Sequence, residues 1–203
     1  MKNKEAMYKL GYGLYVLTAQ SGEGKDNGCI INTAMQVTTT PNRISICVNK
    51  ANYTHDLILE TGAFNVSVIS EKADFELFRH FGFQTGREVD KFADFGEVTR
   101  TESGLYVVTK GTNAYISGQV VQTVDLGTHT MFISDVTGGD VLTADPSATY
   151  TYYQEHIKPK PQPTKVKGWR CKICGYVYEG EELPPDFVCP LCKHGADDFE
   201  KIV

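Results

Sequence analysis

The chain has 203 residues, 41% of them hydrophobic, and a formal net charge of −5. That is enough apolar content for one domain of ordinary size with a small appendage. Residues 1–164 hold 14 Lys/Arg against 18 Asp/Glu and residues 165–203 hold 6 against 7, so neither part carries the basic field that draws in nucleic acid.

No apolar run approaches the roughly 18 residues that span a bilayer. The start, MKNKEAMYKLGYGLYV, lacks a long apolar stretch and a small-residue cleavage site, and does not read as a signal peptide. The expectation is a cytoplasmic protein, in which paired cysteines favour metal binding over disulfides. Cys29 and Cys47 fall in apolar, β-rich stretches and read as buried, unpaired thiols.

Strand-length runs of β-branched and aromatic residues follow one another along the chain: RISICVN, AFNVSVIS, GLYVVTK, NAYISGQVVQTVDL and HTMFISDVTGGDVL. Ile44, Ile46 and Val48 alternate on one face, and Phe64, Val66 and Val68 on another. THDLILETG reads as a helix with Thr54 as N-cap and Gly62 at its C-terminus. EKADFELFRHFG places Phe75, Phe78 and Phe81 at spacings of three, as a second helix would. The pattern predicts a mainly β protein, an antiparallel barrel or sandwich with a few helices.

Composition then changes. HIKPKPQPTKVKG, residues 156–168, holds three prolines and four lysines. Proline-rich segments favour extended backbone, so this stretch reads as a linker reaching about 40 Å. The expected division is 1–155, linker 156–168, and 169–203.

Behind the linker stand two Cys-x-x-Cys pairs, Cys171/Cys174 and Cys189/Cys192. Two such knuckles form a tetrahedral S4 site that selects zinc or iron. Fewer than 40 residues could not easily bury enough surface to fold without the ion. The ligand type leaves zinc and iron both open. The surrounding stretch resembles rubredoxin: Trp169 two before the first cysteine, CKICGYVYEG, PPDFVCPLC, and the closing Asp197-Asp198-Phe199-Glu200. That resemblance implies one iron ion cycling between ferric and ferrous, with Trp169, Tyr176, Phe187 and Phe199 as a small aromatic core. The loop between the pairs is as short as in the rubredoxin domains of rubrerythrins.

No dinucleotide fingerprint, P-loop, HExxH or GxSxG is present in the longer part. The segment NGCIINTAMQVTTTPNRISICVNKANYTHDLILETGAFNVSVIS, with GREVDKF and DLGTHTMFISDV farther on, resembles the flavin reductase-like family. The resemblance implies a split β-barrel binding FMN. It places Asn32, Thr33, Ala34 and Met35 near the isoalloxazine and Thr38 and Thr39 near ribityl or phosphate oxygens. Lys50 and Thr54 fall at the phosphate, where a helix N-terminus and a cation suit an anion, and Asn49 and Asn52 of the same loop are further cofactor-binding candidates. Lys91 is a second candidate cation, and His129 stands where the family has a histidine near the nicotinamide. His55 and His80 read as ordinary packing or surface residues. Tyr150, Tyr152 and Tyr153 could cover the flavin or serve packing.

A flavin reductase joined to a rubredoxin resembles the high-molecular-weight rubredoxins. That likeness implies an oxidoreductase passing electrons from NADH or NADPH through FMN to the iron, and on to a flavodiiron-type oxygen or nitric oxide reductase. It also implies a homodimer. Two alternatives stay open: a flavin reductase that releases reduced flavin and has a structural zinc tail, and a flavoredoxin-like carrier reduced by another protein.

Overall fold

The computed structural model describes residues 4–159, 168–191 and 194–202. Most of the expected linker, residues 160–167, and the expected ligand Cys192 lie outside the described residues. Among the described residues no helix is long and apolar enough to cross a membrane.

Seven antiparallel strands form the main sheet: β1 (Tyr15–Gln20), β2 (Asp26–Ile31), β3 (Ala34–Thr39), β4 (Asn42–Asn49), β5 (Ala63–Ile69), β8 (Thr112–Asp125) and β9 (His129–Val141). Their order is β2-β1-β5-β8-β9-β4-β3. The strands at the two edges, β2 and β3, are consecutive in the chain and joined only by Asn32 and Thr33. One core cluster collects Cys29 and Ile31 of β2 together with Ile44, Ile46 and Val48 of β4, and Ala34 of β3 packs against it. The sheet therefore curls until its edges share a core, although no ladder joins them. This is a split barrel, and the gap in its wall lies beside the β2–β3 turn.

β4 buries Ile44, Ile46 and Val48 as expected, and Ser45 of the opposite face with them. β5 departs further from alternation. Phe64 and Val66 are buried as expected, but Val68 is half-buried, and Asn65, Ser67 and Ile69 of the opposite face are buried too. The cause is a short hairpin of β6 (Val98–Arg100) and β7 (Tyr106–Val108) laid over that face. Asn65 Nδ2 donates to the Leu105 and Tyr106 carbonyls, and Ser67 Oγ accepts from the Val108 amide. A strand covered on both sides loses its period-two pattern.

Helix α1 (Tyr53–Thr61) ends on Gly62, whose φ of 70° is the left-handed conformation that glycine adopts without strain. Its N-cap is Asn52 instead of the expected Thr54. Thr54 is fully buried in the first turn, where its hydroxyl accepts from Asn27 Nδ2 at 2.8 Å, so it ties the helix to β2 instead of capping it. Helix α2 (Phe75–Gly82) is capped by Asp74, which accepts from the Leu77 amide. Leu77, Phe78 and Phe81 form its buried face against Val16, Ile69 and Tyr153. A short helical tail over residues 150–157 packs Tyr153 onto Phe78, ring centroids 4.4 Å apart.

The C-terminal unit is small. Strands β10 (Gly168–Cys171), β11 (Val177–Tyr178) and β12 (Phe199–Ile202) make one three-stranded sheet in the order β11-β10-β12. Its core holds Cys171, Cys189 and Phe199, with Trp169, Tyr176, Tyr178 and Phe187 packed around them. Phe187 meets Phe199 edge-on at 5.4 Å and Tyr178 at 4.8 Å.

Candidate functional sites, a thiolate cluster and an amide-lined cavity

Each cysteine knuckle is a tight turn. In the first, the Gly175 amide donates to the Cys171 carbonyl and the Cys171 amide to the Tyr176 carbonyl. Gly175 has φ 80°, a conformation that strains most other residues. In the second, the Cys189 amide donates to the His194 carbonyl. The turns bring the sulfurs of Cys171, Cys174 and Cys189 within 4.8 Å of one another, with Cys174 and Cys189 Sγ 3.4 Å apart. No metal-ligand group of three other His, Cys, Asp or Glu residues occurs among the described residues. Three converging thiols, two of them buried, fit a soft tetrahedral ion. Cys192 supplies a fourth sulfur at knuckle spacing in the sequence and lies outside the described residues.

The second site is a cavity of about 970 Å³ at the gap in the barrel. That is near the upper end of the usual range for ligand sites. It is lined by seven of the candidate residues, Asn32, Thr33, Asn49, Asn52, Thr54, Lys91 and His129. They come from the β2–β3 turn, the end of β4, the start of α1, the loop after α2 and the start of β9. The remaining candidates do not line it. Ala34, Met35, Thr38 and Thr39 run along β3, where Met35 is 66% exposed. Lys50 Nζ instead pairs with Asp125 at 2.7 Å. Its partner is 75 residues away in sequence, beyond the reach of local spacing.

The electrostatics of the cavity centre on Lys91. It is 3% exposed, and its Nζ donates to the Gly28 and Phe81 carbonyls at 2.8 and 2.9 Å. Burial brings its pKa down to about 8, with the nearby Cys29 sulfur pulling the other way. His80, expected to be ordinary, anchors this residue: its Nε2 donates to the Lys91 carbonyl at 2.6 Å. Burial pushes the Cys29 thiol up, against smaller opposing effects of Thr54 and Lys91, so it stays protonated. Cys29 and Cys47 both carry free thiols.

Helix α1 opens onto the cavity. Asn52 makes no side-chain cap bond, the His55 amide turns back to the Asn52 carbonyl, and Tyr53 and Thr54 of the first turn line the cavity. Such a terminus offers N–H donors and the positive end of a helix dipole to an anion. The loop of residues 84–91 closes over it and is held to α1 by Arg87, which pairs with Asp56 at 2.6 Å and lies 5.2 Å over the Tyr53 ring. Burial raises the Asp56 carboxyl, but hydrogen bonds from Arg87 and His55 outweigh it and hold the group below its usual range. On the other side, buried His55 is bonded through Nε2 to Thr130 Oγ1 at 2.8 Å, next to His129.

Sequence reasoning missed Asn27, Cys47, Tyr53 and the stretch Gln84–Gly86 as cavity residues. Asn27 is 2% exposed and reaches the site because β2 borders the gap. Gly86 approaches it so closely that a Cβ there would overlap Asn27 Oδ1. GREVDKF singled out this loop, but nothing local indicates that it folds back over β2.

Together these observations define a split-barrel protein with an anion-suited cavity and an attached thiolate metal domain. Comparison with known proteins agrees. Residues 7–160 match the flavin reductase like domain, and residues 169–200 match the rubrerythrin, rubredoxin-like domain. A high molecular weight rubredoxin of Moorella thermoacetica is 36% identical over 98% of this chain and 99% of its own. A ferric-chelate reductase (NAD(P)H) of Archaeoglobus fulgidus is 39% identical over 79% of this chain and 94% of its own. An NADH:FAD oxidoreductase of Streptomyces globisporus shares the fold, with a TM-score of 0.63 and 23% identity over 72% of this chain and 85% of that one. The chain belongs to the flavin reductase-like family and carries a rubredoxin-like domain at its C-terminal end.

Proposed function

We propose that this protein is an electron-transfer oxidoreductase that takes electrons from NADH or NADPH into FMN. It passes them to a one-iron centre of Cys171, Cys174, Cys189 and Cys192. From there they go to an external redox protein of the flavodiiron type. A bound flavin takes up two electrons as a hydride and gives them out singly, and a thiolate-held iron accepts one at a time.

One observation carries the reading: the cavity has walls from both parts of the chain. Residues of the barrel line one side, while Ile173, Val188, Pro190, Leu191 and His194 of the two cysteine knuckles line the other. A metal domain serving only as a remote structural tail has no need to border that cavity.

The chain's residues then divide the work. The Lys91 ammonium and the first amides of α1 attract the anionic end of the cofactor. Asn27, Asn32, Asn49 and Asn52 offer amide groups to its polar edge. His129, held through Nδ1 by the Thr128 hydroxyl at 2.9 Å, faces the cavity and positions the nicotinamide. We read the chain as residues 1–155 and 169–203 joined by 156–168, acting as a homodimer.

The test is an anaerobic visible spectrum recorded before and after addition of NADH, then NADPH. Bleaching of both flavin and ferric-thiolate bands is the expected result. A flavin spectrum without iron absorption would favour the zinc-tailed reductase. Two chromophores that neither nucleotide bleaches would make the protein a carrier reduced by another protein.

A further inference from the structure

Beside the flavin cavity lies a second cleft of about 580 Å³. Its walls again come from both units: Phe75, Arg79 and Phe83 on and just beyond the outer face of α2, against Cys174 and Leu191 of the metal domain. Three residues line both this cleft and the main cavity: Phe83, Gln84 and Leu191. A residue common to two adjoining cavities belongs to the partition between them. Here the partition is where the metal domain meets the barrel.

The chemistry of the partition is that of a docking contact. Leu191 lies between Cys189 and Cys192 and is 44% exposed, and Val188 is 54% exposed. These exposures hold with the barrel beside the knuckle, so the contact covers only part of each side chain. On the barrel side, Phe83 just past α2 meets Phe75 at its start edge-on at 5.7 Å, making an aromatic shelf along the helix. Gln84 continues the shelf and is fixed by donating through Nε2 to the His80 carbonyl at 2.8 Å. A further tether lies on the same side, where Lys158 Nζ donates to the Lys172 carbonyl beside the first knuckle.

We infer that the outer side of α2, from Phe75 at its start to Phe83 and Gln84 just past its end, is the docking seat for the chain's own metal domain, and that Leu191 is the positioning residue placed against it. The seat holds the cysteine knuckles at the mouth of the flavin cavity. Leu191 acts through placement. The inference rests on the electron-transfer reading above but specifies a surface that the reading leaves open.

The experiment uses the full chain, loaded with FMN and iron, and compares parent, Leu191→Ser and Leu191→Met. Single-turnover mixing with the active nucleotide reads the ratio of flavin-to-iron transfer to nucleotide-to-flavin transfer. The serine variant should lower the ratio about tenfold, as expected for losing one large apolar contact, and methionine should restore it to within about twofold. A second readout uses no turnover: hydrogen exchange of residues 79–86 in the zinc-substituted protein. Exchange there should rise in the serine variant and return with methionine. Phe83→Leu, on the opposite wall, gives a second variant should serine disturb the metal site, and should raise exchange in the knuckle residues 172–175. A serine variant with parent-like ratio and parent-like exchange overturns the inference. If neither nucleotide reduces the parent protein, the electron-transfer reading fails, while the exchange comparison still decides the seat.

Discussion

The two ends of this chain solve the problem of building a site in opposite ways. The barrel has a large apolar interior, with Leu17, Ile46, Phe64, Val66 and Phe132 fully buried. It stands on hydrophobic burial, and its cavity is a gap left over by topology. Among its described residues the metal domain buries only Gly168, Cys171, Cys189 and Phe199, and two of the three that carry a side chain are ligand candidates. There the site and the core are the same atoms. A fold that can stand alone tolerates an open cavity, whereas a fold organised around an ion has no room for one.

Metal removal should split the molecule along this line. Chelation, or Cys189→Ser, is expected to abolish acceptor reduction and to unfold residues 168–202, because metal binding supplies about 10 kcal/mol or more of folding energy in comparable small sites. Hydrogen exchange should show the seven-stranded sheet intact. Collapse of both units together would mean that the barrel depends on the metal.

The reverse experiment targets the barrel. Phe132→Ala empties a fully buried position in the main core and should cost about 3–5 kcal/mol. Denaturant unfolding should show the loss in the barrel transition, with the ferric-thiolate spectrum of the native state retained. A loss below about 1 kcal/mol would mean the core closes over the gap.

Lys91 sharpens the comparison at the cavity. The group is held at about 8 against an ordinary value of 10.5. Between those values the unfolded chain binds a proton that the folded protein does not, so this group adds stability as pH rises from 8 to 10.5. Anion binding runs the other way, since it favours the charged form. FMN affinity should therefore fall as pH rises through 8, by up to about tenfold per unit. Lys91→Met should weaken binding at pH 7 and flatten the profile. Titration of flavin fluorescence at pH 7 and 9.5 reads both effects, and an unchanged slope in the variant would remove Lys91 from the anion's surroundings.

The smallest effect belongs to Lys50. Its ion pair with Asp125 is exposed on both sides. Lys50→Ala should change FMN affinity by no more than about twofold, because such pairs are well screened. A tenfold loss would place it at the cofactor after all.

The same contrast decides what the sequence made legible. The convergence of Cys171, Cys174 and Cys189 could be read directly, because a knuckle is a local structure whose spacing is its geometry. Gly62 and the helix of Phe75, Phe78 and Phe81 were readable for the same reason. The cavity was legible only in part. Asn32, Asn49, Asn52 and Thr54 lie in one stretch and came with the family pattern. Asn27 and Gln84–Gly86 meet across nearly 60 residues of chain, a contact that no local pattern encodes. Lys50 shows the converse limit: its place just before Thr54 suggested the phosphate, and the fold pairs its side chain with Asp125 on β8, a partner that local spacing does not show. Thr54 looked like a cap because threonine often is one, and the fold uses it to bind α1 to β2.

Passage of electrons within one assembly, from a nicotinamide through the barrel to the metal domain, is tested most directly by anaerobic stopped-flow mixing with the active nucleotide, followed over the visible range. The flavin band should bleach first, at a rate set by nucleotide concentration. The ferric-thiolate band should follow at a rate independent of protein concentration, as transfer within one assembly requires. An iron band that bleaches ahead of the flavin, or at a rate proportional to protein concentration, would contradict this route.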